Sequence, residues 1–220
     1  MPDDHTGVLS TGLPRRPQGV REQKKAETRK SLATAAAQLM LCEGSEGTTI
    51  ASIARRADVS SRTFHNYFPH REAAFRYYIE TFIDDVKVMV EASEPGQPVL
   101  EMLLGIAKKL TVDSPEGVET IYMAATLGEH LTMHMSKTEF ADLLTVFERL
   151  TNAVYEYCEG RLSKFQIHLL INTGASAISA LTEIESMTDY SNGRSFEALL
   201  EESFDLLANG FEPRATRTKG

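Results

Sequence analysis

Apolar residues recur at intervals of three and four along nearly the whole chain, and this interval matches an α-helix with one buried face. No stretch shows the alternation of apolar and polar residues that is typical of a half-buried strand. Glycine, proline and short polar runs divide the pattern into segments of helical length. The sequence therefore predicts an all-α fold of about nine helices, over residues 20–42, 50–57, 61–68, 71–92, 98–112, 115–133, 137–160, 163–187 and 195–210.

The two ends of the chain lack this pattern. Residues 1–20 contain three of the eight prolines and three of the fourteen glycines, without apolar periodicity. We expect this segment to be a mobile arm and residues 214–220 to be a short tail.

The composition is that of an ordinary globular protein, with 42% hydrophobic and 25% charged residues among 220. The acidic start has no apolar signal region, and the charge-free stretch over 165–182 contains too many polar residues for a bilayer. The two cysteines, Cys42 and Cys158, form neither a zinc motif nor a disulfide framework. We therefore expect a cytoplasmic protein with no membrane partner.

The charge is distributed unevenly along the chain. The net charge is -8 overall, yet residues 15–76 hold twelve Lys or Arg against six Asp or Glu. The remainder is acidic. A basic module on an acidic body is typical of a protein that binds a polyanion through one part only. Basic segments are common, so this feature alone is weak evidence for such binding.

Two short segments within this basic region predict a helix-turn-helix. The first follows Thr49, a good N-cap, and the second opens at Ser60, another N-cap, and ends before Pro69. Phe64 and Phe68 can anchor the second segment from beneath. Its outward side chains are then a set of hydrogen-bonding groups: Ser61, Arg62, Thr63, His65, Asn66 and Tyr67.

Such a surface suits the major groove of DNA, where arginine can address guanine and the smaller polar groups can reach base edges or phosphates. The helix N-terminus at Ser60 adds backbone N–H groups that favour an anion. The same residues also fit aromatic side chains that are only core and polar side chains that are only solvated. Composition does not choose between these two interpretations.

Several motifs in their order and spacing resemble the TetR/AcrR family of bacterial transcriptional regulators. They are Thr28-Arg29, the segments 49–54, 57–60 and 63–68, and Arg71-Glu72-Ala73, which together cover about residues 24–75. The resemblance implies a DNA-binding domain over residues 21–70, followed by a helical ligand-binding and dimerisation domain over 71–213. It also implies a repressor that a small molecule releases.

The resemblance further implies base contacts from Ser61, Arg62 and Thr63. It implies phosphate contacts from Thr49, His65, Tyr67 and Arg71. His65 and Arg71 depart from the tyrosine and lysine usual at these positions, and both can still donate to phosphate. Arg62 is bulkier than the residue frequent there, and we hypothesise that it reads a guanine.

Basic residues near the start of the first helix offer a second contact zone for the DNA backbone or a minor groove. Solvated charge without a partner explains them equally well. The residues predicted to contact DNA here are Lys24, Lys25 and Arg29.

Two C-terminal helices resemble the pair with which the family forms a four-helix dimer interface. One carries small side chains that allow close approach of another backbone, and the other carries large apolar ones, although both could also belong to an intrachain core. The predicted interface residues are Thr173, Ser176, Ala177, Ala180, Leu200, Phe204 and Leu207.

The middle helices hold methionines and aromatics that can line an adaptable apolar pocket but more often form plain core. His130 and His134 have the spacing of a helical metal site, but a third ligand is missing, so we expect no metal and no cofactor. His168 and Asn172 can hold the polar end of a ligand or satisfy each other. The predicted pocket residues are Tyr122, Met123, His130, Phe147, Tyr155, His168 and Asn172.

These observations, together with what the resemblance implies, predict a homodimeric repressor that binds a palindromic DNA operator and is released by a partly apolar small molecule. A DNA-binding activator or architectural factor without an effector is the alternative. The chain contains no HExxH, GxSxG, P-loop or Rossmann glycine motif, so we do not expect an enzyme.

Overall fold

The computed structural model describes residues 18–113, 117–134, 136–185 and 193–211. These residues form nine α-helices and no strand, which confirms the all-α prediction. The helices are α1 (Gln18–Gly47), α2 (Ile50–Arg56), α3 (Ser61–His65), α4 (Arg71–Glu91), α5 (Val99–Thr111), α6 (Gly117–His134), α7 (Lys137–Tyr157), α8 (Lys164–Glu185) and α9 (Phe196–Asn209).

The first helix differs from its predicted bounds at both ends. It already begins at Gln18, so residues 18–20 are helical and do not belong to an irregular arm. Helical hydrogen bonding continues to Gly47, but Gly44 breaks the helical geometry with a φ of 67°, a conformation that glycine adopts without steric cost. The helix that was predicted to end at residue 42 therefore kinks at Gly44 and continues to Gly47. The rest of the predicted arm and the predicted tail lie outside the described residues.

Polar caps at both ends explain why the short helix α2 forms where it does. The Thr49 hydroxyl accepts from the Ser52 backbone N–H at 3.1 Å, and the Ser52 hydroxyl accepts from the Thr49 N–H at 2.8 Å. This reciprocal pair is a capping box. At the other end, the N–H of Val59 donates to the Ala54 carbonyl at 2.9 Å around Asp58, whose φ is 54°. A non-glycine residue thus occupies the left-handed position of a Schellman motif.

The central helix of the fold is α4, which packs against α1 on one side and against α5, α6 and α7 on the others. Helix α1 also packs against α2 and α6, and α8 packs against α6, α7 and α9. One buried apolar cluster runs from Leu32 in α1 through Phe64 in α3 and Phe75 in α4 to Val154 in α7. The hydrophobic core is therefore continuous across residue 70, where the sequence predicts a domain boundary.

A second, smaller apolar cluster joins α5, α6, α8 and α9 around the fully buried Leu200. Within the described ranges, no helix is both long and apolar enough to cross a membrane.

Candidate nucleic-acid interface

Helix α3 presents a polar outer face above an apolar anchor. Phe64 is 0% exposed and Phe68 is 2% exposed, and their ring centroids lie 5.7 Å apart. On the opposite side Ser61, Arg62 and His65 are exposed. The buried aromatic side chains hold the helix in place, so its exposed polar side chains are pre-positioned to contact a partner.

The other residues predicted on this face are held partly by the helix itself. The Ser60 hydroxyl accepts from the Thr63 backbone N–H at 3.0 Å and lies 2.9 Å from the Thr63 hydroxyl. Asn66 is the exposed C-cap of α3, whereas Thr63 and Tyr67 are half-buried. The structure therefore brings all of the predicted α3 residues to one region and assigns Ser60 and Asn66 a capping role as well.

Arg71 is engaged within the chain. Its Nη1 donates to the carbonyls of Ser45 at 2.5 Å and Thr48 at 2.9 Å, its Nη2 to the Ser45 hydroxyl at 3.0 Å, and its Nε to Glu72 at 2.8 Å. Four of the five guanidinium donors are thus used. Burial would raise the pKa of Glu72, but the hydrogen bond and charge of Arg71, together with His70, lower it. Arg71 ties the first turn of α4 to the end of α1, a role that the sequence did not indicate.

Arg29 also makes contacts within the chain. Its guanidinium carbon lies 4.2 Å from the ring centroid of Tyr77 and 5.4 Å from that of Phe68, both cation–π distances. Lys25 lies one turn earlier on the same face of α1, and both Lys24 and Lys25 are exposed. Arg29 therefore joins α1 to α4 and to the end of the helix-turn-helix, and the lysines remain accessible.

The predicted effector residues do not all meet in one place. The cavity with the most apolar lining has a volume of about 500 Å³, opens to the surface and is lined by residues of α4 to α9. Phe147 and Asn172 line it. The amide of Asn172 donates to the His168 backbone carbonyl at 2.8 Å, so this pair interacts through the main chain and the His168 ring is not involved.

The other predicted pocket residues lie elsewhere because they project from neighbouring faces of their helices. His130 packs edge-on against Phe75, at a centroid distance of 5.7 Å, and stacks on His134 at 4.4 Å. Met123 lines a different cleft, between α1, α4 and α6. Within the described part of the chain, no three His, Cys, Asp or Glu side chains are placed to hold a metal ion. The predicted residues outside the cavity lining are Tyr122, Met123, His130, Tyr155 and His168.

The predicted dimer residues divide into a buried and an exposed set. Leu200 is 0% and Phe204 5% exposed within a single chain, so these two belong to the intrachain core. Thr173, Ala177 and Leu207 are half-buried. Ser176 and Ala180 are exposed, and both also line the cavity together with Phe204.

Helix α8 carries an exposed stripe that the sequence pattern predicted only in part. Phe165 is 74% and Leu169 is 55% exposed, and Asn172, Ser176 and Ala180 continue their face at helical spacing. We call these five residues the α8 stripe. Phe165 and Leu169 were not among the residues predicted for the interface.

Residues 32–77 match the family model described as bacterial regulatory proteins, tetR family. This segment of the chain is a tetR-family domain. The match covers the second half of α1, all of α2 and α3 and the start of α4. No curated protein sequence matches the chain significantly.

Solved structures share the fold of this chain. The fatty acid degradation regulator FadR of Bacillus halodurans superposes with a TM-score of 0.62 at 16% identity, covering 85% of this chain and 97% of that one. A TetR-family regulator of Marinobacter aquaeolei VT8 gives 0.59 at 20% identity, covering 84% and 97%. A transcriptional regulator of Rhodococcus sp. Rha1 gives 0.57 at 14% identity, covering 84% and 99%.

Proposed function

We propose that this TetR-family regulator is a homodimeric repressor that binds a palindromic operator through α3 and is released by a small apolar molecule. The observation that carries the proposal is the outer face of α3, with exposed Ser61, Arg62 and His65 above a fully buried Phe64. Arg62 forms no hydrogen bond or ion pair with the residues that the structure describes. Its guanidinium is therefore available for a guanine edge, unlike those of Arg71 and Arg29.

The phosphate contacts follow from the same geometry. His65 and Tyr67 lie at the end of α3 and can donate to the DNA backbone beside the groove. The Thr49 hydroxyl donates to the Ser52 hydroxyl at 3.1 Å, so Thr49 can donate to a phosphate only by giving up this bond. Lys24 and Lys25 extend this basic surface along α1. Arg71 contributes indirectly, since it holds the α1–α2 connection in place.

The α8 stripe supports the dimer. Two apolar side chains that are more than half exposed, Phe165 and Leu169, gain stability when a second copy covers them. A dimer presents two copies of α3, and specific binding of such a pair requires them about 34 to 36 Å apart, one turn of the duplex.

Helix α4 supports release by a ligand. Ile79, Phe82, Ile83 and Val86 of α4 line the cavity, and Arg71 fastens the start of the same helix to the DNA-binding module. A ligand beside α4 can therefore change the spacing of the two α3 helices. A hundredfold release requires a ligand that favours the non-binding shape by about 2.7 kcal/mol.

The test is a mobility-shift and footprinting experiment with the DNA that flanks the gene. A short palindromic footprint, abolished by scrambling the palindrome, supports the proposal. Cell extract that releases the DNA supports the effector. A protein that protects no site, or protects every sequence equally, contradicts a sequence-specific regulator.

A further inference from the structure

The cavity between α4 and α9 differs from the rest of this acidic molecule because no described residue in its lining carries a charge. The interior is formed by aliphatic and aromatic side chains, such as Ile83, Ile106, Leu150 and Phe147. Its polar lining residues among the described ones are Asn172, Ser176 and Ser179, all on α8. A charged ligand atom inside would therefore lose its water without gaining a counter-charge, which is strongly unfavourable.

The mouth of the cavity coincides with the α8 stripe. Asn172, Ser176 and Ala180 are exposed members of the lining and also belong to the stripe. In the proposed dimer the partner covers this face, so even the end of a ligand at the mouth is removed from water. Only a group that hydrogen bonds without a charge is then satisfied, for example by the Asn172 side-chain carbonyl.

We propose that the cavity binds a neutral, largely apolar molecule with a hydroxyl-like polar end, and that it rejects carboxylates and ammonium ions of the same size. This inference rests on the proposed dimer and effector and specifies the ligand class. The volume is adequate, because at about 30 Å³ for each non-hydrogen atom a ten-carbon alcohol occupies about 330 Å³, less than the cavity of about 500 Å³.

Two glycines provide a matched pair of variants. Gly128 in α6 lines the cavity, and a Cβ built there meets no atom within 4 Å. Gly105 in α5 is equally unobstructed but lies outside the lining and is exposed. Leucine favours the helical conformation more than glycine does at either position, so neither variant should fail to fold. Gly128→Leu fills about 120 Å³ of the cavity, and Gly105→Leu fills none.

The experiment is calorimetric titration of the wild type and both variants with 1-decanol below its solubility limit, and with decanoate and decyltrimethylammonium below their micelle concentrations. We expect 1-decanol to bind the wild type and Gly105→Leu equally and Gly128→Leu at least tenfold more weakly. Both ions should bind the wild type at least tenfold more weakly than the alcohol. Ions that bind as tightly as the alcohol, an alcohol site that Gly128→Leu leaves intact, or no binding by any probe overturns the inference.

Sedimentation and mobility shifts on the same three proteins separate this inference from the proposed function. If the wild type is monomeric or ignores DNA while 1-decanol binding follows the expected pattern, the proposed function fails and the ligand class stands. If Gly128→Leu dissociates the dimer and no probe binds, a second copy fills the cavity and the inference is wrong. If 1-decanol binds as expected without releasing DNA, only the effector role fails.

Discussion

Three arginines that the sequence places at the DNA interface have three different environments in the structure. Arg62 is exposed and unengaged among the described residues, Arg29 stacks on two aromatic rings, and Arg71 uses four donors within the chain. A motif indicates the residue type at a position but not the groups that engage its side chain. Here those groups come from distant parts of the sequence, the carbonyls of Ser45 and Thr48 for Arg71 and the ring of Tyr77 for Arg29. At this scale, the role of a basic residue depends on tertiary contacts.

Replacing Arg62 should remove sequence discrimination. We expect Arg62→Ala to weaken operator binding by about 1 to 3 kcal/mol and binding to scrambled DNA by much less, because a bidentate guanine contact is lost. The matched control is Lys109→Ala, which removes an equal charge from an exposed position on α5. Titrated mobility shifts on both DNAs measure the effect, and equal loss on the two DNAs contradicts a base contact by Arg62.

Asp58 stores backbone strain in the helix-turn-helix, since its φ of 54° suits glycine better than a residue with a Cβ. We expect Asp58→Gly to raise the free energy of unfolding by up to about 1 kcal/mol and Asp58→Val to lower it. Both variants lose the same carboxylate, so their difference reports the backbone alone. Urea denaturation gives the order, and a valine variant as stable as the glycine variant would disprove the strain.

At the scale of elements, apolar spacing predicted most helices well because each buries one face against α4 or its neighbours. The predicted start of α1 was wrong. A high content of proline and glycine favours an irregular segment, but residues 18–20 are the first turn of the helix. The pocket was only partly predictable. Periodicity shows that His130 and Phe147 are both inward, but it does not show whether a neighbour fills the space in front of them.

The contact between α6 and α4 should make stability depend on pH. His130 is only 9% exposed, and burial, followed by the charges of His134 and Arg71, lowers its pKa below 6.5 against an opposing effect of Glu72. As the pH falls through 6.5, the unfolded chain takes up a proton that the folded chain resists, so the free energy of unfolding decreases. The decrease stops below the lowered pKa of the folded chain.

We expect His130→Gln to lose less stability than the wild type between about pH 7.5 and about pH 5.5. The control is His168→Gln at an exposed position on α8. Denaturant titrations at the two pH values measure the difference. The same pH dependence in wild type and His130→Gln contradicts this role for His130.

At the scale of the whole molecule, the proposed dimer is testable through two leucines. Leu169 lies in the α8 stripe and is 55% exposed, and Leu144 on α7 is 46% exposed outside it. Leu169→Glu places an unpaired carboxylate within the proposed interface and should raise the dimer dissociation constant at least tenfold, about 1.4 kcal/mol. Leu144→Glu adds the same charge and should leave dimerisation unchanged.

Sedimentation velocity across a concentration series measures both variants. A Leu169→Glu protein that remains as dimeric as the wild type places the interface elsewhere. A wild type that is monomeric at every concentration removes the dimer from the proposal altogether.

The apolar cluster that extends from Leu32 through Phe75 to Val154 has a practical consequence for protein engineering. A fragment ending near residue 70 would leave the inner surface of α1 in water, because α4 and α6 cover it. We therefore do not expect the helix-turn-helix to fold as an isolated fragment. A chimera that grafts it onto another regulator should carry α4 along and restore the α6 side chains that face it.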